Sequence, residues 1–161
     1  MTATETTNAI GLDTHKSAEL ISSLNELLSN YQVYYMNVRG FHWNIKGDKF
    51  FELHVKFEEL YNDLELKIDE VAERILMLGG TPLHTFGDYM EISSIAPAKN
   101  VSEARAAVQS ILDGFKTLLL KQRSLLELSG NADDEGTNSL MSDYVREQEK
   151  LIWMYSSFMK D

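Results

Sequence analysis

Proline occurs only twice in these 161 residues, as Pro82 and Pro97, and both fall in one middle stretch. Proline inside a helix removes a backbone hydrogen bond and kinks the chain, so everything before 82 and after 97 is free to be helical. The apolar residues there recur every three or four positions, the spacing of one helix face. A first helix is predicted from about Ser17 to Trp43, with Leu20, Leu24, Leu27, Tyr31, Tyr34, Val38 and Phe41 on one face. Asn44 to Lys49, holding Gly47, turns the chain back. A second helix follows from about Phe50 to Leu78, carrying Leu53, Phe57, Leu60, Leu64, Ile68, Val71, Ile75 and Leu78. Gly79-Gly80 followed by Pro82 stops it.

One long crossover runs from Thr81 to Asn100, and Asp88 to Ile95 within it is a candidate short helix. Asn100, with Glu103 three residues on, reads as a capping-box-like start. The third helix then carries Ala104, Val108, Ile111, Phe115, Leu118, Leu119, Gln122 and Leu125-Leu126, and stops near Gly130. A polar acidic loop, Asn131 to Thr137, leads to a fourth helix with Leu140, Tyr144, Leu151, Ile152, Tyr155 and Phe158 inward, and Trp153 also reads as core. Two helical hairpins joined by one long crossover describe an all-α, ferritin-like four-helix bundle with a short helix in the crossover between helices two and three. The chain reads as a single domain over residues 1–161, with residues 1–14 a flexible N-terminal tail.

The net charge is −10. An acidic surface repels phosphate backbones and attracts cations, which disfavours nucleic acid as the main partner. Cysteine is absent, so disulfides and thiolate metal sites are excluded. No run approaches the about eighteen apolar residues of a membrane span, and MTATETTNAIGLD has neither the basic nor the apolar region of a secretory signal. A cytoplasmic protein with no membrane partner is expected.

The second helix carries a symmetric set of metal-type ligands: His54 and Glu58, then Asp69 and Glu73. Each pair is spaced i, i+4 and so lies on one face. The eleven residues from Glu58 to Asp69 make about three turns, which keeps all four on one stripe. The two pairs are nevertheless roughly 16 Å apart along the axis, too far to share an ion within one chain. A second copy packed antiparallel about a two-fold axis between residues 63 and 64 would bring 54 opposite 73 and 58 opposite 69. His42, at the end of the first helix, falls about 4–5 Å along the axis from His54 in a tight hairpin. The candidate site is therefore His42, His54 and Glu58 from one chain with Asp69 and Glu73 from another. Imidazole and carboxylate ligands without thiolate suit iron, manganese or zinc. The competing reading is a solvated acidic helix face, since Glu59, Asp63, Glu65 and Glu70 also stand on this helix. No Glu-x-x-His occurs, so the usual ligand set inside a ferritin-like bundle is missing.

The stretch NVRGFHWNIKGDKFFELHVKFEELYNDLELKIDEVAERILMLGG resembles the Dps family, small ferritin-like proteins from starved cells. The match rests on His42-Trp43-Asn44, Gly47, His54, and Asp69 and Glu73 running into LGG; the crossover TPLHTFGDYMEISSI is also similar. The resemblance covers about residues 15 to 160. It implies a hollow dodecamer whose ferroxidase sites lie at two-fold interfaces. It also implies iron oxidation, with hydrogen peroxide as preferred oxidant, and ferric iron stored inside. Glu58 stands where the family more often has aspartate. Trp43 is implied to sit near the metal and accept oxidising equivalents, the other reading being a packed interface aromatic. DNA-binding members use Lys/Arg-rich tails, whereas here the first sixteen residues hold one cation, Lys16, against Glu5 and Asp13. DNA binding by tails is therefore not expected, and a nucleoid-compacting protein with secondary iron chemistry is the alternative function. Asp133, Asp134, Glu135 and Asp143, around the start of the fourth helix, are the candidate acids of an iron-conducting pore. His15 and His84 have no partnered spacing and read as surface or cap residues.

Overall fold

The computed structural model describes residues 6–161. Five helices appear in the order α1 (Thr14–Asn44), α2 (Phe50–Met77), α3 (Phe86–Ile92), α4 (Ala104–Asn131) and α5 (Glu135–Met159). Helices α1 and α2 form one hairpin and α4 and α5 the other, while α1 packs against α4 and against the short α3 of the crossover. The predicted apolar stripes meet in one core running from Leu20 through Tyr31, Phe57, Val71 and Phe115 to Tyr144. None of the described helices is long and apolar enough to cross a membrane.

Local capping moves several predicted boundaries. Asp13 accepts hydrogen bonds from the N–H groups of His15 and Lys16, which starts α1 three residues ahead of Ser17. Such a cap satisfies amides that have no partner inside the helix. Thr85 caps α3 in the same way through the Asp88 amide, so the crossover helix is Phe86–Ile92 rather than 88–95. Glu103, not Asn100, caps α4: its two carboxylate oxygens take the Arg105 and Ala106 amides, while Asn100 sits in the left-handed region at φ 61°. The loop predicted over 131–137 shrinks to three residues, because Asp134 caps α5. Gly79 does stop α2, at φ 90°, a conformation that costs a residue with a Cβ.

The flexible tail predicted for residues 1–14 lies outside the described residues as far as residue 5. Beyond it, residues 6–13 are folded back. Thr7 and Asp13 form an antiparallel bridge, and the Asn8 amide donates to the Ser17 hydroxyl at 3.2 Å and the Leu78 carbonyl at 3.3 Å. Trp153 is not core. It is 64% exposed, because the inward positions of α5 are taken by Tyr144, Leu151 and Tyr155.

Two polar devices tie the hairpins together. In the bundle centre the Tyr31 hydroxyl donates to Gln122 Oε1, the Gln122 amide donates to Gln148 Oε1 at 2.8 Å, and the Gln148 amide returns to the Tyr31 oxygen at 2.7 Å. This closed ring satisfies three side chains that no water reaches. Nearby, Lys67 is buried with its ammonium on Asp63 at 2.8 Å and Glu147 at 2.7 Å, joining α2 to α5.

Candidate metal centre

Histidines 42 and 54 meet where α1 ends and α2 begins. Their rings stack at 3.8 Å between centroids and 14° between planes. Nδ1 of His42 lies 2.6 Å from the carbonyl oxygen of His54, and Nδ1 of His54 lies 2.7 Å from the carbonyl oxygen of His42. A carbonyl oxygen only accepts, so both Nδ1 atoms carry a proton, and in the neutral ring the lone pair is left on Nε2. Reciprocal bonding of this kind fixes ring orientation and tautomer, the outer-shell support that ligating histidines require. The axial alignment of the two helices follows from the short connection between them, as its length predicts.

Aromatic rings complete a layered stack. Phe50 lies on the other face of His54 at 5.0 Å and 19°. Tyr61 meets His42 edge-on at 5.2 Å, and its hydroxyl points to Glu58 Oε1 at 3.5 Å. Burial, then the charge of Glu58, holds the Tyr61 phenol above its usual pKa, so it remains a protonated donor at neutral pH. Arg39 lies over Tyr61, Trp43 and Tyr35, its guanidinium carbon 4.7, 5.0 and 5.6 Å from the three ring centroids. None of Phe50, Tyr61, Arg39 and Tyr35 was singled out from the sequence. Their signal was spacing: Phe50 stands four residues before His54, Tyr61 three after Glu58, and Arg39 three before His42.

The predicted residues divide into two groups. His42 is buried, His54 is half-buried, and Glu58 is exposed beside them; Trp43 is 57% exposed. Asp69 and Glu73 are exposed farther along α2. Among the described residues, no three His, Asp or Glu side chains of this one chain converge closely enough to hold an ion. His15 and His84 are exposed, as expected, with His84 Nδ1 3.0 Å from the Pro82 carbonyl.

A ferritin-like domain profile matches residues 21–161. The DNA protection during starvation protein of Porphyromonas gingivalis is 42% identical over 148 residues, covering 92% of this chain and 93% of that protein. The crystal structure of the Dps protein from Vibrio cholerae O1, described as a member of a broad superfamily of ferritin-like diiron-carboxylate proteins, superposes with a TM-score of 0.96. It is 54% identical over 99% of this chain and 100% of its own. The chain belongs to the Dps family. The Dps from Bacillus brevis, at 34% identity, superposes with a TM-score of 0.88 over 91% of this chain and 98% of its own. In this Dps-family chain His42 and His54 meet at the α1–α2 hairpin, Asp69 and Glu73 stand apart from them, and the bundle centre is filled by the Tyr31, Gln122 and Gln148 ring.

The four candidate pore acids do not act alike. Asp133, Glu135 and Asp143 are exposed, with Asp143 accepting from Arg146 at 2.9 Å. Asp134 is buried, 2% exposed, and cannot line a pore. Its carboxylate caps α5 through the Thr137 amide at 3.0 Å and pairs with Arg74 at 2.6 Å. Desolvating a carboxylate demands such partners, and the loop geometry that supplies them turns Asp134 inward.

Proposed function

We propose that this chain is an iron-oxidising mini-ferritin, which oxidises Fe(II), preferably with hydrogen peroxide, at sites shared between subunits and stores ferric iron in a hollow dodecamer. The observation that carries the reading is the locked histidine pair, two Nε2 lone pairs held beside the carboxylate of Glu58. Neutral imidazole with carboxylate is a ligand set for iron. Asp69 and Glu73 complete the set from a second copy, because roughly 16 Å of helix separates them from Glu58 in their own chain. An antiparallel two-fold contact between α2 helices brings Asp69 level with Glu58 and Glu73 level with His54. Val55 and Leu66 on the same helix are 51% and 65% exposed, apolar surface that such a contact would cover.

Iron is the substrate. Two Fe(II) ions give up one electron each, the O–O bond of hydrogen peroxide breaks, and two water molecules form with uptake of two protons. Removing Fe(II) and peroxide in one step protects against oxidative damage, because neither is left to generate radicals with the other. Trp43, next to His42, is the near-site aromatic that accepts stray oxidising equivalents. Asp133, Glu135 and Asp143 are the acids of the iron-conducting pore.

The test joins stopped-flow oxidation of Fe(II) by peroxide to native mass analysis and iron content. A dodecameric, iron-loaded particle is expected, whose fast oxidation is lost in His54→Ala and in Asp69→Ala while helicity persists. Wild-type oxidation in either variant would defeat the reading. The competing role, direct compaction of DNA, is opposed by the net charge of −10. A gel shift at low salt, where phosphate contacts bind most strongly, separates the two, and no shift is expected.

A further inference from the structure

Arg39 lies beside the proposed site without an ion pair, although the charge of Glu65 in the same chain acts on it. Its guanidinium rests on the faces of Tyr61, Trp43 and Tyr35, and Nη1 donates to the Tyr35 hydroxyl at 2.8 Å. Among the described residues it forms no ion pair. Its Nε is shut off from solvent without a hydrogen-bond partner. A desolvated guanidinium edge with no acceptor is costly. That cost disappears if an acceptor arrives from outside the chain.

Resting on the shared-site reading above, the two-fold contact supplies one. Arg39 stands one turn before His42, and the Tyr61 ring beneath its guanidinium reaches Glu58. A second copy's Asp69 is brought level with that same Glu58. Without iron, the shared site would gather Glu58, Asp69 and Glu73 with no cation among its ligands, and like charges at close range repel.

We propose that Arg39 is a positioning residue of the shared site, pairing with Asp69 of the second copy while iron is absent and surrendering that carboxylate to Fe(II). The three aromatic faces explain how it lets go. A guanidinium that loses a carboxylate keeps its cation–π contacts, which offset part of the cost of displacement by a divalent ion. The pair thus holds the empty site assembled and sets a threshold for metal binding.

Zn(II), which takes imidazole and carboxylate ligands and undergoes no redox chemistry, is the probe. Iron-free particles of wild type, Arg39→Gln, Arg39→Lys and Asp69→Ala are titrated with Zn(II) by calorimetry, and their denaturant midpoints are measured with and without saturating Zn(II). Arg39→Gln is expected to bind Zn(II) about tenfold more tightly than wild type, the scale of a lost close charge pair. Its iron-free particle should be less stable than wild type, with the gap closing once Zn(II) saturates the site. Arg39→Lys keeps the charge but not the planar fork, so its affinity should fall between the two, and it decides the matter if Arg39→Gln does not assemble. Zn(II) affinity in these variants equal to or weaker than wild type overturns the role of Arg39. The Asp69→Ala arm stands apart: undiminished Zn(II) binding there overturns the shared site itself, whatever the Arg39 variants do.

Discussion

Arg74 and Asp134 form an ion pair of 2.6 Å between the end of α2 and the start of α5, with side-chain exposures of 15% and 1%. The same guanidinium donates through Nε to the Thr137 hydroxyl at 2.9 Å, and a Cβ on Gly136 would stand 2.8 Å from its nitrogens. Glycine at 136 is what lets the guanidinium lie against α5. Asp134→Ala is expected to cost about 3 kcal/mol, because it leaves the half-buried Arg74 without its counter-charge and removes the cap of α5. Asp134→Asn keeps the cap and should cost less. Denaturant unfolding at matched subunit concentration measures both, and a wild-type midpoint for the alanine variant would show that the pair does not hold α5.

The closed ring of Tyr31, Gln122 and Gln148 predicts non-additive mutants. Tyr31→Phe removes one hydroxyl and leaves two buried amide groups short of a partner, a loss of about 1–3 kcal/mol. Removing all three polar groups together with apolar residues of similar size should cost less than the sum of the single changes. Additive losses across the series would mean that the three side chains act independently.

The proposed sharing of each site between two subunits predicts complementation. Shells refolded from a mixture of His54→Ala and Asp69→Ala chains contain mixed two-folds, at which one site carries both changes and the other carries neither. Their Fe(II) oxidation should exceed that of either variant alone. Mixed dimers verified by mass but no more active than the parents would exclude the pairing of 54 with 73 and 58 with 69.

Three exposed acids carry the pore prediction. Replacing Asp133 and Asp143 by asparagine and Glu135 by glutamine should slow iron uptake, more so at low ionic strength, where steering is least screened. Oxidation of iron already bound at the sites should change little. Asp134 is left out of this set because its carboxylate is committed to Arg74 and Thr137. Uptake at the wild-type rate in the triple variant at low salt would rule this route out.

The apolar periodicity around Tyr31, Phe57, Phe115 and Tyr144, with prolines confined to 82–97, determined five helices and their pairing into two hairpins, because one face of each helix must leave water wherever it packs. The i, i+4 pairs His54–Glu58 and Asp69–Glu73 were legible for a similar reason: helical geometry places them on one stripe whatever the rest of the chain does. Capping was less so. Asn100 and Glu103 both suit a helix start, and only the folded crossover, with Asn100 at φ 61°, gave the role to Glu103. Burial could not be read from residue type either. Asp134 is acidic and buried while Trp153 is apolar and exposed, since each side chain's surroundings depend on contacts distant in sequence. The mutual locking of His42 and His54, with Arg39 on its three rings, came from tertiary structure alone. It requires two helices to stand side by side at one register, and a hydrogen bond between a ring and a carbonyl twelve residues away leaves no periodic trace in the sequence.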